Sequence, residues 1–167
     1  MRTSAPGQSA LLMAAAVHGV VRASLDADAL VALQVLEART LRQSLIEAGY
    51  EAALRIGDAD DPIPALLEVR DGHGNRVDLL VGLRGMDPDL LHRTRQVRLA
   101  EVVLEIVGRE DFIAMKAFAG GPVDLADARA VMDMDRGYLD VALLRRLAQR
   151  FGRETVKTVE LLIGAVD

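Results

Sequence analysis

The sequence predicts an α+β fold, with a mixed β-sheet core followed by a helical C-terminal half, and three patterns support this. Residues 21–31 alternate between apolar and polar side chains with a period of two, which is typical of a half-buried strand. Residues 66–82 contain two apolar arms around the Gly-rich turn Asp71–Asn75, which indicates a β-hairpin. Beyond residue 109 the apolar spacing becomes helical, so we expect helices there rather than further strands.

The length and composition fit one domain over residues 1–167, with a sheet core in 10–100 and a mostly helical part in 101–167. The chain is 51% apolar but has only two tyrosines and three phenylalanines, so its core must consist mainly of Leu, Val, Ala and Ile. The net charge of −5 does not indicate nucleic-acid binding, and the absence of cysteine excludes disulfides and thiolate ligands. The apolar run Ala10–Val17 is too short to span a bilayer, so we expect no membrane segment and a cytoplasmic location.

The first half of the chain should alternate between helices and strands. Ala10–His18 is rich in Ala and Leu, which predicts a short helix that ends at Gly19. After the alternating strand, Leu33–Ala48 has helical apolar spacing, and a further strand is expected at Glu51–Ile56. Turn residues dominate 57–64, and the hairpin follows.

The second half should begin with a short helical turn at 89–95 and one or two strands within 97–107. Four helices are then expected, at 110–118, 124–134, 140–151 and 155–163. Glycines separate the first two and the last two of these segments, as they do where helices end.

Three carboxylates are the main candidates for chemistry. Asp26 and Asp28 lie at i and i+2 of the alternating strand and therefore on one face, where like charges repel unless a cation compensates them. Arg22 or a divalent metal ion can supply that cation. Asp78 lies in an apolar arm of the hairpin, where a carboxylate is costly unless it is paired or coordinated. If the two strands are neighbours, the three aspartates can hold Mg²⁺ or Mn²⁺ together with substrate phosphates.

The segment His18–Leu30, HGVVRASLDADAL, resembles the signature of minimal nucleotidyltransferases of the AbiEii-like, type IV toxin–antitoxin family. That signature has a glycine followed by Arg-x-Ser/Thr-x-Asp-x-Asp, and its residues correspond to Gly19, Arg22, Ser24, Asp26 and Asp28. Other matches follow in the family's order over residues 10–163. They are Glu47–Tyr50 at the end of a helix, Asp78 as the third carboxylate, EDFIAMK at Glu110–Lys116, VDLADA at Val123–Ala128 and a closing helix in 139–152.

The resemblance implies an enzyme that transfers a nucleoside monophosphate from a nucleoside triphosphate to a hydroxyl on a protein or RNA. It implies metal ligation and catalysis by Asp26, Asp28 and Asp78, with Mg²⁺ or Mn²⁺ as cofactor. It also implies triphosphate contacts from Arg22, Ser24 and Lys116, with Asp124 and Asp127 nearby. The expected partners are the nucleotide, the acceptor and a cognate antitoxin protein.

One departure from the family pattern leaves catalysis open. The family places Gly-Gly or Gly-Ser about thirteen residues before the first aspartate, and this chain has Leu11-Leu12 there. A catalytically degenerate fold that acts as an interaction module is therefore the alternative. Local explanations also exist for three residues: Lys116 as a surface lysine, Asp124 as a helix N-cap, and Asp127 as an exposed residue or a partner of Lys116.

Overall fold

The computed structural model describes residues 10–13, 26–31, 33–99, 102–134 and 136–165. These residues form two compact units. The described residues up to Arg84, together with those in 97–105, form the sheet unit. The described residues in 85–96 and from 106 onward form the helical unit.

The strands form one mixed sheet in the order β3-β4-β5-β2-β1-β7-β6. Their bounds are β1 Ala10–Met13, β2 Asp26–Val31, β3 Glu51–Ile56, β4 Ala65–Arg70, β5 Arg76–Val81, β6 Arg95–Leu99 and β7 Val102–Ile106. Strands β2 and β5 are parallel, whereas the pairs β1–β2, β3–β4 and β4–β5 are antiparallel. The predicted hairpin is confirmed as β4 and β5, and the predicted strand Glu51–Ile56 is β3.

Helix α1, Val35–Glu47, packs its only buried residue, Ala38, against the sheet. The small Ala38 side chain lies in a core with Val31 of β2, Ala65 of β4 and Val81 of β5. The backbone N–H of Gln34 donates to the Glu37 carboxylate at 2.7 Å, which satisfies one N–H group at the start of the helix. This packing stabilises the arrangement of β2, β4 and β5, and Asp78 lies on β5.

The helical unit has four α-helices among its described residues: α2 Arg109–Ala119, α3 Pro122–Met134, α4 Val141–Phe151 and α5 Arg153–Gly164. Helix α2 contacts the other three, and its Phe112 and Ile113 are fully buried. Phe118 of α2 stacks on Phe151 of α4 with ring centroids 4.9 Å apart. None of the helices described here is long and apolar enough to cross a membrane.

Two local predictions were wrong. The predicted helix at 10–18 is a strand over its described part, Ala10–Met13, because pairing with β2 outweighs the modest helix preference of Ala and Leu. The predicted half-exposed alternation also fails at Ala29, Leu30 and Val31, which are all buried. Strand β2 lies inside the sheet, and its end is covered on both faces, as is usual next to a parallel neighbour.

Candidate functional site

The register between β2 and β5 brings the three predicted carboxylate positions onto adjacent strands. Asp28 is the Cα partner of Asp78, and Asp26 is the Cα partner of Arg76. Because Cα partners and residues two apart belong to the same face of a sheet, positions 26, 28 and 78 share one face. The metal hypothesis requires these two strands to be neighbours, and β2 and β5 are neighbours. The roles of the three residues stay predictions.

The Asp78 carboxylate is held by an arginine on its own strand. Arg76 Nε donates to one Asp78 oxygen at 2.8 Å, and Arg76 Nη2 donates to the other at 2.6 Å. The same Nη2 donates to Glu68 of β4 at 2.8 Å. The three side chains are half-buried or nearly buried, with 29% of Arg76, 12% of Glu68 and 14% of Asp78 exposed. Asp78 therefore has the charged partner that its position in an apolar run requires, and this partner is a guanidinium that bridges two carboxylates.

This cluster extends towards the edge of the sheet as a row of alternating charges. Arg55 of β3 donates to the second oxygen of Glu68 at 2.9 Å. The order of charges is Arg55, Glu68, Arg76 and Asp78, which is positive, negative, positive and negative. The alternation ends at Asp78, because its Cα partner on β2 is the acidic residue Asp28.

Several predicted site residues cannot be placed in this cluster. Arg22, Ser24 and Gly19 lie outside the described residues, as do the side chains of Asp26 and Asp28. Among the residues that were described, no group of three or more His, Asp or Glu side chains is close enough together to hold a metal ion. The positions of Asp26 and Asp28 are consequently known from the strand register alone, whereas Asp78 is also described by its side-chain contacts.

Lys116 forms a second cluster, inside the helical unit. It lies on α2 and donates to Asp124 of α3 at 2.7 Å, and its ammonium is 3.3 Å from an oxygen of Asp127. Asp127 is buried, so its predicted pairing with Lys116 is confirmed. Helix α3 begins at Pro122, so Asp124 lies in the first turn and the prediction that it caps the helix was wrong. The predicted contact between Lys116 and a triphosphate stays a prediction.

The other charged residues of the EDFIAMK segment are also used within the helical unit. Asp111, only 3% exposed, accepts two hydrogen bonds from Arg93 at 2.8 and 2.7 Å. The bonds to this carboxylate raise the pKa of Arg93 further above its ordinary value. Glu110 accepts the backbone N–H of Asp140 at 3.0 Å, before α4. Packing and hydrogen bonding in this unit therefore account for the charged positions of the segment.

The sequence interpretation missed Glu68 and Arg76. Each shares a strand face with another charged residue two positions away, since Arg76 precedes Asp78 and Glu68 precedes Arg70. The sequence feature that could have identified them is the predicted hairpin, because its pairing makes Glu68 the Cα partner of Asp78. Pairing the two predicted arms across their turn would have brought these residues together.

The segment that replaces the family's glycine pair lies in the middle of the sheet. Leu11 is the Cα partner of Leu30, and Leu12 is the Cα partner of Ala29. Strand β1 also has β7 as its hydrogen-bonded neighbour on the other side. Backbone groups in a strand with two neighbours are engaged in sheet hydrogen bonds, so they do not offer a free row of N–H donors to phosphates.

The fold of this chain is similar to that of a known protein, although its sequence matches no family model. No curated protein matches the chain either. One solved structure with a similar fold is an antigenic nucleotidyltransferase-like protein from Paracoccidioides brasiliensis, with a TM-score of 0.50 and 12% sequence identity. The alignment covers 95% of this chain and 84% of that one. The chain therefore has an α+β fold, with a mixed sheet and a helical C-terminal half, that is similar to the fold of a nucleotidyltransferase-like protein.

Proposed function

We propose that this chain is a metal-dependent nucleotidyltransferase that moves a nucleoside monophosphate from a nucleoside triphosphate to a hydroxyl of a protein or RNA. The observation that carries the proposal is the register of β2 and β5, in which Asp28 and Asp78 are Cα partners and Asp26 lies two residues earlier. The similarity of fold to a nucleotidyltransferase-like protein supports the same class. A role as the toxin of a toxin–antitoxin pair rests on the family resemblance of the DxD segment.

The residues present fit a divalent cation. Carboxylate oxygens are preferred ligands of Mg²⁺, and three aspartate positions share one face of two adjacent strands. The guanidinium of Arg76 already places positive charge on both oxygens of Asp78, as a protein-borne substitute for a cation. We expect Asp26, Asp28 and Asp78 to hold Mg²⁺ or Mn²⁺, which stabilises the charge that develops in phosphoryl transfer.

The remaining chemistry belongs to the chain's own side chains. Asp78 would accept the proton of the acceptor hydroxyl while the hydroxyl oxygen forms its bond to the α-phosphorus. The bond from that phosphorus to the bridging oxygen then breaks, and pyrophosphate leaves. Asp26 and Asp28 would be ligands of the cation and would help to orient the triphosphate for in-line attack. Arg22, Ser24 and Lys116 are proposed phosphate contacts.

We expect this transfer to be slow, because Leu11 and Leu12 lie within a strand that has neighbours on both sides. Each preorganised donor that an active site lacks typically costs about 2.7–4 kcal/mol of transition-state stabilisation. The degenerate alternative, an interaction module with the same fold, is favoured by this same observation.

The test is a transfer assay with labelled nucleoside triphosphate, Mn²⁺ or Mg²⁺, and total RNA or protein extract, at high protein concentration. Transfer should fall at least about a hundredfold in Asp26→Asn and Asp28→Asn, because each substitution removes a metal ligand. Asp60→Asn is the matched control, since Asp60 is an exposed loop carboxylate of the same unit. Absence of both transfer and triphosphate binding in the unsubstituted chain would overturn the enzyme proposal in favour of the interaction module.

A further inference from the structure

The row of charges on β3, β4 and β5 has a defined end beside the proposed metal site. Each carboxylate in the row contacts an arginine, and each arginine contacts a carboxylate. At the end of the row, Asp78 is followed across the sheet by Asp28, so two acidic positions are adjacent. A cation between these two positions would continue the alternation and lower their mutual repulsion.

Arg76 is positioned to respond to such a cation, because it has two carboxylate partners. Its Nη2 group is 2.6 Å from Asp78 and 2.8 Å from Glu68, so one nitrogen serves both acids. Its Nε donates to Asp78 as well. A guanidinium that gives up its bonds to Asp78 therefore still has a carboxylate partner on the neighbouring strand.

We propose that Arg76 is an internal counter-ion that competes with the divalent cation for Asp78, and that Glu68 retains Arg76 when the cation binds. The proposal rests on the proposed function, because it concerns the same cation site. In the metal-free chain the guanidinium neutralises Asp78. When the metal ion binds, the Asp78 oxygens turn from arginine to metal, and Arg76 is held by Glu68. Glu68 is thus a positioning residue, which acts through Arg76.

The experiment measures Mn²⁺ binding by calorimetry on the full chain, without any activity readout. Arg76→Gln should bind Mn²⁺ about tenfold more tightly, because it no longer occupies Asp78 with a charged hydrogen-bond donor. Arg70→Gln is the matched control, since Arg70 is exposed and is the Cα partner of Arg76 on β4. A purely general effect of positive charge would change affinity equally in both variants.

A double-mutant cycle tests Glu68. Glu68→Gln should weaken Mn²⁺ binding severalfold, because Arg76 then loses the carboxylate that would retain it away from Asp78. The same substitution should have a much smaller effect in an Arg76→Gln background, where that competition is absent. Equal effects in both backgrounds would show that Glu68 acts only through its own charge and would overturn its positioning role.

The outcomes separate this inference from the proposed function. Mn²⁺ binding that disappears in Asp28→Asn but is unchanged or weakened in Arg76→Gln would overturn the counter-ion proposal and leave the metal site standing. No Asp28-dependent Mn²⁺ binding in any variant would overturn the proposed function itself. If Arg76→Gln does not fold, Arg76→Lys keeps the charge but not the two-pronged contact, and an intermediate affinity is then expected.

Discussion

Each unit of the molecule has a basic side chain that contacts two carboxylates, Arg76 in the sheet unit and Lys116 in the helical unit. The surroundings of these two clusters differ. In the sheet unit Arg76 bridges Glu68 and Asp78, which lie on neighbouring strands. In the helical unit Lys116 contacts Asp124 and Asp127, which both lie on α3. The Lys116 ammonium also lies 5.7 Å from the centre of the Phe112 ring, a fully buried aromatic residue of its own helix.

The two clusters differ in burial and in the charge that lies beside them. Asp127 is almost completely buried, so the main consequence of losing Lys116 is the loss of positive charge beside a carboxylate in the protein interior. Asp78 is next in register to Asp28, so negative charge continues beyond the ion pair on the sheet. We therefore expect the Lys116 cluster to contribute mainly to stability, whereas a role in ligand binding is proposed for the Arg76 cluster.

The largest expected effect is that of Lys116→Met, which keeps the length of the side chain but removes its charge. We expect the free energy of unfolding to fall by about 3 kcal/mol, because the substitution breaks a buried ion pair and removes the positive charge beside the Asp127 carboxylate. Urea denaturation measures this change. Lys157→Met is the control, since Lys157 forms an exposed pair with Glu154 and should change stability very little.

A second substitution determines whether the Lys116 effect arises from charge. Asp127→Asn added to Lys116→Met should recover part of the lost stability, because the buried negative charge that Lys116 contacted is then removed as well. If Lys116→Met costs no more than Lys157→Met, Lys116 is not a structural residue. Its predicted role as a phosphate contact would then be the stronger explanation of its position.

A smaller effect, of about 1–2 kcal/mol, is expected for the stability of Arg76→Gln in the presence of a chelator, because the partly exposed Arg76 makes a solvent-screened contact. Excess Mn²⁺ should reduce or reverse this deficit, because the variant is expected to bind Mn²⁺ more tightly, and a cation bound to the folded state stabilises it by mass action. Urea denaturation with and without Mn²⁺ measures the change. If Mn²⁺ does not alter the deficit, Arg76 contributes to stability only, as is expected for Lys116.

The third expected effect is a pH dependence at Asp87 in the helical unit. Asp87 accepts the backbone N–H of Asp89 at the start of a 3-10 turn, and this bond, with nearby Arg93 and Arg150, holds the pKa of Asp87 below its ordinary value. A lowered folded-state pKa gives stability that is present above the unfolded pKa of about 3.9 and is lost as the pH falls through the folded value.

Asp87→Asn keeps a side-chain acceptor for the Asp89 N–H but removes the charge. We expect it to be less stable than the unsubstituted chain by about 1 kcal/mol at neutral pH, since the hydrogen bond to the Asp89 N–H is kept and only the interactions of the charge are lost. The difference should shrink as the pH falls below the unfolded pKa of about 3.9, and it should disappear once Asp87 is protonated in both states. Denaturation at a series of pH values measures it, and a difference that grows on acidification would contradict the assignment.

The smallest expected effect is that of Arg145→Gln. Arg145 and Glu160 form a well-aligned pair on the surface of α4 and α5, with hydrogen bonds of 2.7 and 2.9 Å. These bonds lower the pKa of Glu160 and raise that of Arg145, yet both side chains are solvated. Thermal unfolding should show no measurable change, and a clear loss would mean that exposed and buried pairs contribute alike in this chain.

Much of the fold could be predicted from the sequence, because most elements have strong local signals. The helices at 33–48 and after 109 have apolar spacing and terminal glycines, and the turn residues mark the hairpin. The segment Ala10–Met13 could not be assigned correctly, since its apolar residues suit a helix or a buried strand equally well. Its conformation depends on distant strands rather than on its own composition.

The candidate site was predictable only in part. Asp78 was identified because a carboxylate in an apolar run needs a partner, but the identity of that partner depends on which strands are neighbours. Arg76 reaches Asp78 within one strand, whereas Glu68 joins the cluster only after the hairpin forms. In the helical unit, the resemblance identified Lys116, and the structure adds the buried contacts that a family pattern does not describe.

The position of β1 between β2 and β7 has a consequence for how the molecule folds. β1 begins at Ala10 and its neighbour β7 ends at Ile106, so one of the pairings at the middle of the sheet joins distant parts of the chain. Contacts of such long sequence separation slow folding, because the loop between them must close first. During synthesis, β1 therefore lacks one of its two neighbours until residues 102–106 have left the ribosome. The hairpin of β4 and β5 needs no such delay, so the Arg76 cluster can form before the centre of the sheet is complete.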